Sequence, residues 1–330
     1  NQFATSDWKV SRVEQKPATQ NPYAPFITST LQQEGIRKLH MSSQQVMRTA
    51  QMLYEEGYIT YMRTDSVNLS SEAIHGSRNA IQSLFGKEYL PDKPRLYKNK
   101  VKNAQEAHEA IRPAGSTFKS PDSIKSSVNA AEYKLYDLIW KRTLASQMKS
   151  AKLSKTSVEI SDGKGIFSAN GKVIEFPGFL KVYVEDIDDP NKPKDDKESL
   201  LPPLKDGQGV NGKTFSPNQH FTKPSPRYTE ASLVKELEAL GIGRPSTYAA
   251  IMGNIQNRGY VHKVNGALIP TFTAYAVIQF LERYFKDLVN LQFTANLEDT
   301  LDAISRNEIK SVDFLDHFYN GENGTPGLNA

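Results

Sequence analysis

The sequence contains no cysteine, which excludes disulfides, cysteine-based zinc ribbons and thiol nucleophiles for this chain. It has no apolar run approaching the ~18 residues of a membrane-spanning helix, and a chain without a secretory leader is expected. Hydrophobic content of 38% and mean hydropathy of -0.55 predict a soluble chain, and 330 residues are enough for two or three cores. Asn1 is an abrupt start, as expected of a piece of something longer. A net charge of +4 permits a polyanionic partner without demanding one.

The densest chemistry lies in Gly57 to Ser66, GYITYMRTDS. In an extended segment Tyr61 and Arg63 project from one face, placing a phenol beside a guanidinium. A free phenol, with a pKa near ~10, is a poor nucleophile; a neighbouring arginine favours phenolate and can hold phosphodiester oxygens. The pair is therefore suited to covalent phosphoryl transfer. The plain alternative is a strand core of Tyr58, Ile59 and Tyr61 with a surface pair of Arg63 and Asp65.

A second informative stretch is Gln105 to Pro113, QEAHEAIRP. Read as a helix that Pro113 ends, it puts His108 and Arg112 on one face. The spacing is superficially that of a zinc protease, but arginine stands where the second ligand is required, so the pair suits an anion.

Along the chain, residues 1–21 read as a strand containing Trp8, Val10 and Val13, followed by a linker. Thr28 is expected to cap a helix to about Leu39, and Ser42 with Gln45 forms a capping box for the next, which Gly57 stops. Ser70 caps a helix running towards Gly86, and another spans about Lys134 to Gln147. Residues 151–184 read as strands with turns at Asp162-Gly163, Asn170-Gly171 and Pro177-Gly178. The charged stretch 185–199 reads as a mobile loop, with further β-type sequence through Phe221.

Thr229 starts a helix, Gly241-Ile242-Gly243 turns the chain, a second helix covers Ser246 to Arg258, and Asn265-Gly266 closes a hairpin. That order describes a winged helix. Arg258-Gly259-Tyr260-Val261 echoes Glu56-Gly57-Tyr58-Ile59, so two related modules are expected, only the first carrying Tyr-x-Arg. Residues 272–318 read as packed helices, and the tail from Gly321 as frayed. The predicted architecture is α+β multidomain. Its β arch is formed by 1–21 and 148–224, a helical domain occupies 22–147, and a second winged-helix-like domain occupies 225–330.

GYITYMRTDS resembles the active-site segment of the type IA DNA topoisomerases, in the form typical of the bacterial enzymes. QEAHEAIRP matches the second signature of that family, and EASLVKELEALGIGRPSTYAAI through RGYV is similarly characteristic. The resemblance implies a toroidal clamp in which Tyr61 joins DNA, Arg63 holds nonbridging oxygens, and His108 and Arg112 support the site. Asp65 is expected to orient Arg63. Gln51, Tyr54, Glu55 and Thr60 become candidates for contacts with single-stranded DNA, and Arg244, Ser246, Thr247 and Arg258 for phosphate contacts from the second module.

Negatively supercoiled DNA is the implied partner, for a cytoplasmic monomer that needs no ATP. The Mg²⁺ of the family belongs to a Toprim domain whose Asp-x-Asp-x-Glu cluster has no counterpart in this sequence. The chain is therefore expected to be deficient in cleavage by itself. A winged-helix DNA-binding protein without catalysis is the competing reading, and it leaves Tyr61, Arg63 and His108 unexplained.

Overall fold

The computed structural model describes residues 7–98, 108–185, 201–202, 204–211, 214–322 and 325–329. Strand β1 (Trp8–Gln20) pairs antiparallel with β2 (Ala151–Ser161), which pairs with β3 (Ile166–Phe176). A two-residue β4 (Gly209–Val210) flanks the other side of β1, giving the order β3-β2-β1-β4. Register sets Gln20 against Ala151, so the chain leaves this sheet and returns to it at one end. Asp162 and Gly163 make the expected hairpin turn, with Gly163 at φ 85°. Asn170 and Gly171 do not turn; they pair with Ser157 and Thr156 inside β3, where the ladder outweighs local turn preference. Beyond β4, the described residues up to Thr229 contain no further strand, contrary to the predicted continuation through Phe221. The 185–199 reading falls outside the described residues except for Glu185.

Between β1 and β2 lie α1 (Thr28–Leu39), α2 (Ser43–Glu55), α3 (Ser71–Phe85), the short α4 (Pro121–Ile124) and α5 (Ala130–Ser146). Ser42 and Gln45 form the predicted reciprocal box at the start of α2. Thr28 is not a cap. Ile27 holds that position, its N–H met by the Thr30 hydroxyl, while the Thr28 hydroxyl is used further along the chain. Helix α5 begins four residues before the predicted start because Asn129 and Glu132 cap it reciprocally. These helices share one core that includes Phe26, Leu31, Leu53, Ile111, Leu135 and Ile139. Ile59 and Met62 belong to the same core and pin the chain on either side of Thr60 and Tyr61. Each such burial contributes about 1.5–3 kcal/mol.

The second helical region comprises α6 (Glu230–Ala239), α7 (Tyr248–Asn257) and a hairpin of β5 (Val261–Val264) and β6 (Ala267–Pro270). Asn265 and Gly266 both have positive φ, as a two-residue hairpin turn requires. The glycines of the two echoed sequences make one kind of helix stop, which Gly241 and Asn307 also make. Gly57 (φ 73°) and Gly259 (φ 67°) each end a helix with the same pair of hydrogen bonds, Tyr58 N–H to Leu53 O and Gly57 N–H to Tyr54 O in one, Tyr260 N–H to Ile255 O and Gly259 N–H to Gln256 O in the other.

Helices α8 (Phe272–Tyr284), α9 (Leu291–Ser305) and α10 (Ser311–Asn320) follow. The expected packing is partial: Phe318 of α10 stacks on Phe314 and on Phe293 of α9, but α8 and α10 bury no residue, and Phe272 is exposed. The tail, read as frayed, forms a small ladder of β7 (Gly321–Glu322) with β8 (Thr325–Pro326).

The two helical regions pack directly, α1 on α6 and α2 on α7. Ser29 Oγ donates to Glu238 Oε1 at 2.7 Å, and the Ser43 N–H donates to Glu230 Oε2 at 2.7 Å. Glu230 is 1% exposed, so a carboxylate of the second region caps the start of α2 in the first.

Candidate active site around Tyr61

The segment after Gly57 is extended, with an isolated bridge at Ile59 in place of a regular strand. Alternation holds from Tyr61 onward: Met62, Thr64 and Ser66 are buried, whereas Tyr61 is 44% exposed and Arg63 and Asp65 are half-buried. Tyr61, Arg63 and Asp65 consequently line one cavity of about 360 Å³. Its opposite wall comes from the second helical region, with Glu238, Arg244, Ser246 and Tyr248, and from Asp299 and Asp302 of α9.

The Tyr61 ring meets Tyr54 edge-on, with centroids 5.2 Å apart. Gln51 Nε2 donates to Glu55 Oε1 one turn along the same helix, and neither residue lines the cavity. Arg63 Nη1 donates to the Ser246 carbonyl at 2.9 Å. Arg244 is more heavily engaged. Its Nη2 lies 2.8 Å from Asp302 Oδ2 and 3.5 Å from Asp299 Oδ1, and its Nη1 donates to the carbonyls of Gly241 and Gly243. Burial works against its charge, but the hydrogen bond and charge of Asp302, with Glu298 and Asp299, outweigh it and hold the guanidinium above its ordinary pKa. Tyr248, at the buried side of the cavity, has its phenol pushed upward by burial and by Glu238. The helix predicted from Ser246 starts at Tyr248, since the Thr247 hydroxyl accepts the Arg244 N–H in a turn before it. Arg258 is exposed at the far end of α7, outside the cavity.

The helical reading of the second signature is wrong for its described part, residues 108–113. They run extended: the Ile111 N–H donates to Phe26 O, the Ala110 N–H to Asn68 O, and Pro113 bridges Ile59. Backbone partners on three sides fix an extended path that the helical spacing could not reveal. His108 lines the cavity, but Arg112 does not share its face. Arg112 is 5% exposed, with its guanidinium bound to Glu109 and to the carbonyls of Pro113 and Gly115. Thr60 also points away from the cavity, its hydroxyl 2.7 Å from Ala110 O.

Ser29, Glu238, Asp299 and Asp302 were not anticipated. The three-residue spacing of the two aspartates on α9 marks a common helix face, but nothing local links it to Arg244, more than fifty residues earlier.

A family model described as DNA topoisomerase matches residues 1–316. The chain belongs to the DNA topoisomerase family, in its type IA branch. It is 51% identical to DNA topoisomerase 1 of Synechococcus elongatus, over 98% of this chain and 36% of that protein. It is 52% identical to DNA topoisomerase 1 of Mycolicibacterium smegmatis, over 96% and 35%. Full-length topoisomerase I from Thermotoga maritima superimposes with a TM-score of 0.79 at 36% identity, covering 97% of this chain and 52% of that one. The chain thus spans about a third of the length of the curated relatives it matches. Family membership does not favour the competing winged-helix DNA-binding protein without catalysis.

Proposed function

We propose that this chain carries the nucleophile and DNA-binding surfaces of an ATP-independent type IA topoisomerase that relaxes negatively supercoiled DNA. The Tyr61 phenol oxygen attacks a phosphodiester of single-stranded DNA; its bond to phosphorus forms as the bond to O3′ breaks. The phenol proton is released, the 3′ oxygen takes one up, and the 5′ phosphate stays on Tyr61. After another strand has passed, the 3′ hydroxyl reverses the attack. Bond energy is kept in the phosphotyrosine, which removes any need for ATP.

The observation that carries this reading is the shared cavity, where an exposed phenol stands with Arg63, His108 and Arg244. Arg63 exchanges a neutral carbonyl for a phosphate oxygen, a charge-assisted bond roughly twice as strong. Asp65 helps to orient Arg63, and the two helical regions act as winged-helix-like modules joined by the β sheet as part of a clamp. The regions must separate for a strand to pass, breaking the Ser29, Ser43 and Arg63 contacts.

The Mg²⁺ implied for the intact enzyme finds no fitting site here. Among the described residues no group of three or more His, Asp or Glu could hold a metal, and the Asp299–Asp302 face already holds the Arg244 guanidinium. We assign that ion to the part of the longer relatives that this chain does not span.

The test uses single-stranded DNA labelled at either end, mixed with the chain, Mg²⁺ and a separately expressed Toprim domain. Label on the 3′ side should remain on the protein and label on the 5′ side should be released. The opposite distribution would reject the 5′-phosphotyrosyl assignment.

A further inference from the structure

Tyr61 sits between two threonine hydroxyls that bind backbone. Thr60 Oγ1 donates to Ala110 O at 2.7 Å and accepts the Arg112 N–H at 3.0 Å, while the Thr60 N–H donates to Arg112 O at 2.9 Å. One residue thereby makes three bonds to the extended stretch 108–113. On the other side, Thr28 Oγ1 lies 2.8 Å from Met62 O and 3.0 Å from Thr64 O and accepts the Thr64 N–H at 2.8 Å; the Thr28 N–H also donates to Thr64 O. Thr28 is fully buried at the start of α1. The segment from Thr60 to Thr64 has no regular ladder to hold it, and these hydroxyls stand where ladder bonds would be.

We infer that Thr60 is a positioning residue for the Tyr61 reaction, setting the phenol against His108 through the Ala110 and Arg112 backbone, with Thr28 fixing the Arg63 side of the same segment. The inference rests on Tyr61 being the nucleophile. It assigns Thr60 a role distinct from a DNA contact. A hydroxyl with one donor and a saturable acceptor capacity, already bound to Ala110 O and the Arg112 N–H, has little left to offer a phosphate. Side chains that orient a nucleophile act on the chemical step, and displacement by about 1 Å costs on the order of a hundredfold in rate.

Thr60→Val keeps the shape and removes both bonds; Thr60→Ser keeps the hydroxyl. Each variant is compared with the unaltered chain in three measurements: binding of a labelled single-stranded oligonucleotide, the rate of covalent adduct formation at saturating oligonucleotide with the Toprim domain supplied, and amide hydrogen exchange. Thr60→Val should slow adduct formation by about 10- to 100-fold with affinity changed less than about twofold, and Thr60→Ser should restore most of the rate. Exchange should quicken at Arg112 in Thr60→Val, while Thr64, whose N–H is accepted by Thr28, and α2 stay protected.

Adduct formation by Thr60→Val at the normal rate, no rescue by serine, or affinity falling in step with rate would overturn the inference. If the unaltered chain forms no adduct, the nucleophile assignment has failed instead. Exchange then still decides whether Thr60 holds the segment: unchanged protection at Arg112 rejects the clamp, and faster exchange there supports it.

Discussion

The Arg63 guanidinium donates to the Ser246 carbonyl at 2.9 Å, so the cation two residues beyond Tyr61 is held by the opposite helical region. The acceptor is neutral and the contact is exposed, which limits its contribution to about 1 kcal/mol. A phosphate is a stronger acceptor for the same donor. Arg63 is therefore held by a single neutral acceptor, whereas Arg244 is tied down by carboxylates.

That difference yields the first prediction. Asp302→Asn removes the nearest charge on Arg244 and frees it for a phosphate. Binding of a single-stranded oligonucleotide should tighten several-fold, and the slope of log affinity against log salt should steepen by about 0.7, as for one more phosphate neutralised. Weaker binding would mean that Asp302 orients Arg244 for DNA instead of competing with it.

Glu109 and Arg112 make an acid-sensitive brace beneath the site. Burial raises the Glu109 carboxyl, but hydrogen bonds from Arg112 and Ser70 outweigh it and hold the group below its ordinary value. A lowered folded pKa favours the ionised form in the fold, so the contribution is fully present above the ordinary carboxylate value and is lost as pH falls through the folded one. The unfolding midpoint of the unaltered chain should drop more steeply than that of Glu109→Gln between about pH 5 and about pH 3. Parallel curves would show that the brace adds nothing. Arg112→Ala, which strands a partly buried carboxylate, should cost about 3 kcal/mol of stability at neutral pH by denaturant titration.

Glu230 links the two helical regions through the first N–H of α2 and also pairs with Lys263 at 3.0 Å. Glu230→Ala leaves both groups without this partner and should cost about 2 kcal/mol. Hydrogen exchange over residues 42–46 should accelerate with it. An unchanged melting midpoint with unchanged exchange would show that this contact does not join the regions.

The capping box at Ser42 and Gln45, the stop at Gly57 and the Asn265-Gly266 hairpin were legible because each is decided within four or five residues. The shared face of Tyr61 and Arg63 was legible for the same reason, since alternation is a local property, although Ile59, two residues before Tyr61, is buried. His108 to Pro113 was misread because its helical spacing competes with long-range pairing to Phe26, Ile59 and Asn68. Asn170-Gly171 was misread because ladder bonds to β2 override its turn chemistry. The grip of α9 on Arg244 could not be read at all, as it depends on how two helices far apart in sequence meet. Arg112 shows the same limit: its charge reads as an anion site until its guanidinium is seen bound to Glu109 and to backbone carbonyls.

Of fifteen tyrosines, Tyr61 alone is proposed to bond to DNA. The most direct measurement is to trap the covalent adduct with Toprim domain and Mg²⁺ present, trim the DNA with nuclease, digest the protein and locate the remaining nucleotide by mass spectrometry. The expected result is a 5′-phosphate ester on Tyr61 and no adduct from Tyr61→Phe. A nucleotide on neighbouring Tyr54 or Tyr58, or an adduct that persists in Tyr61→Phe, would contradict it.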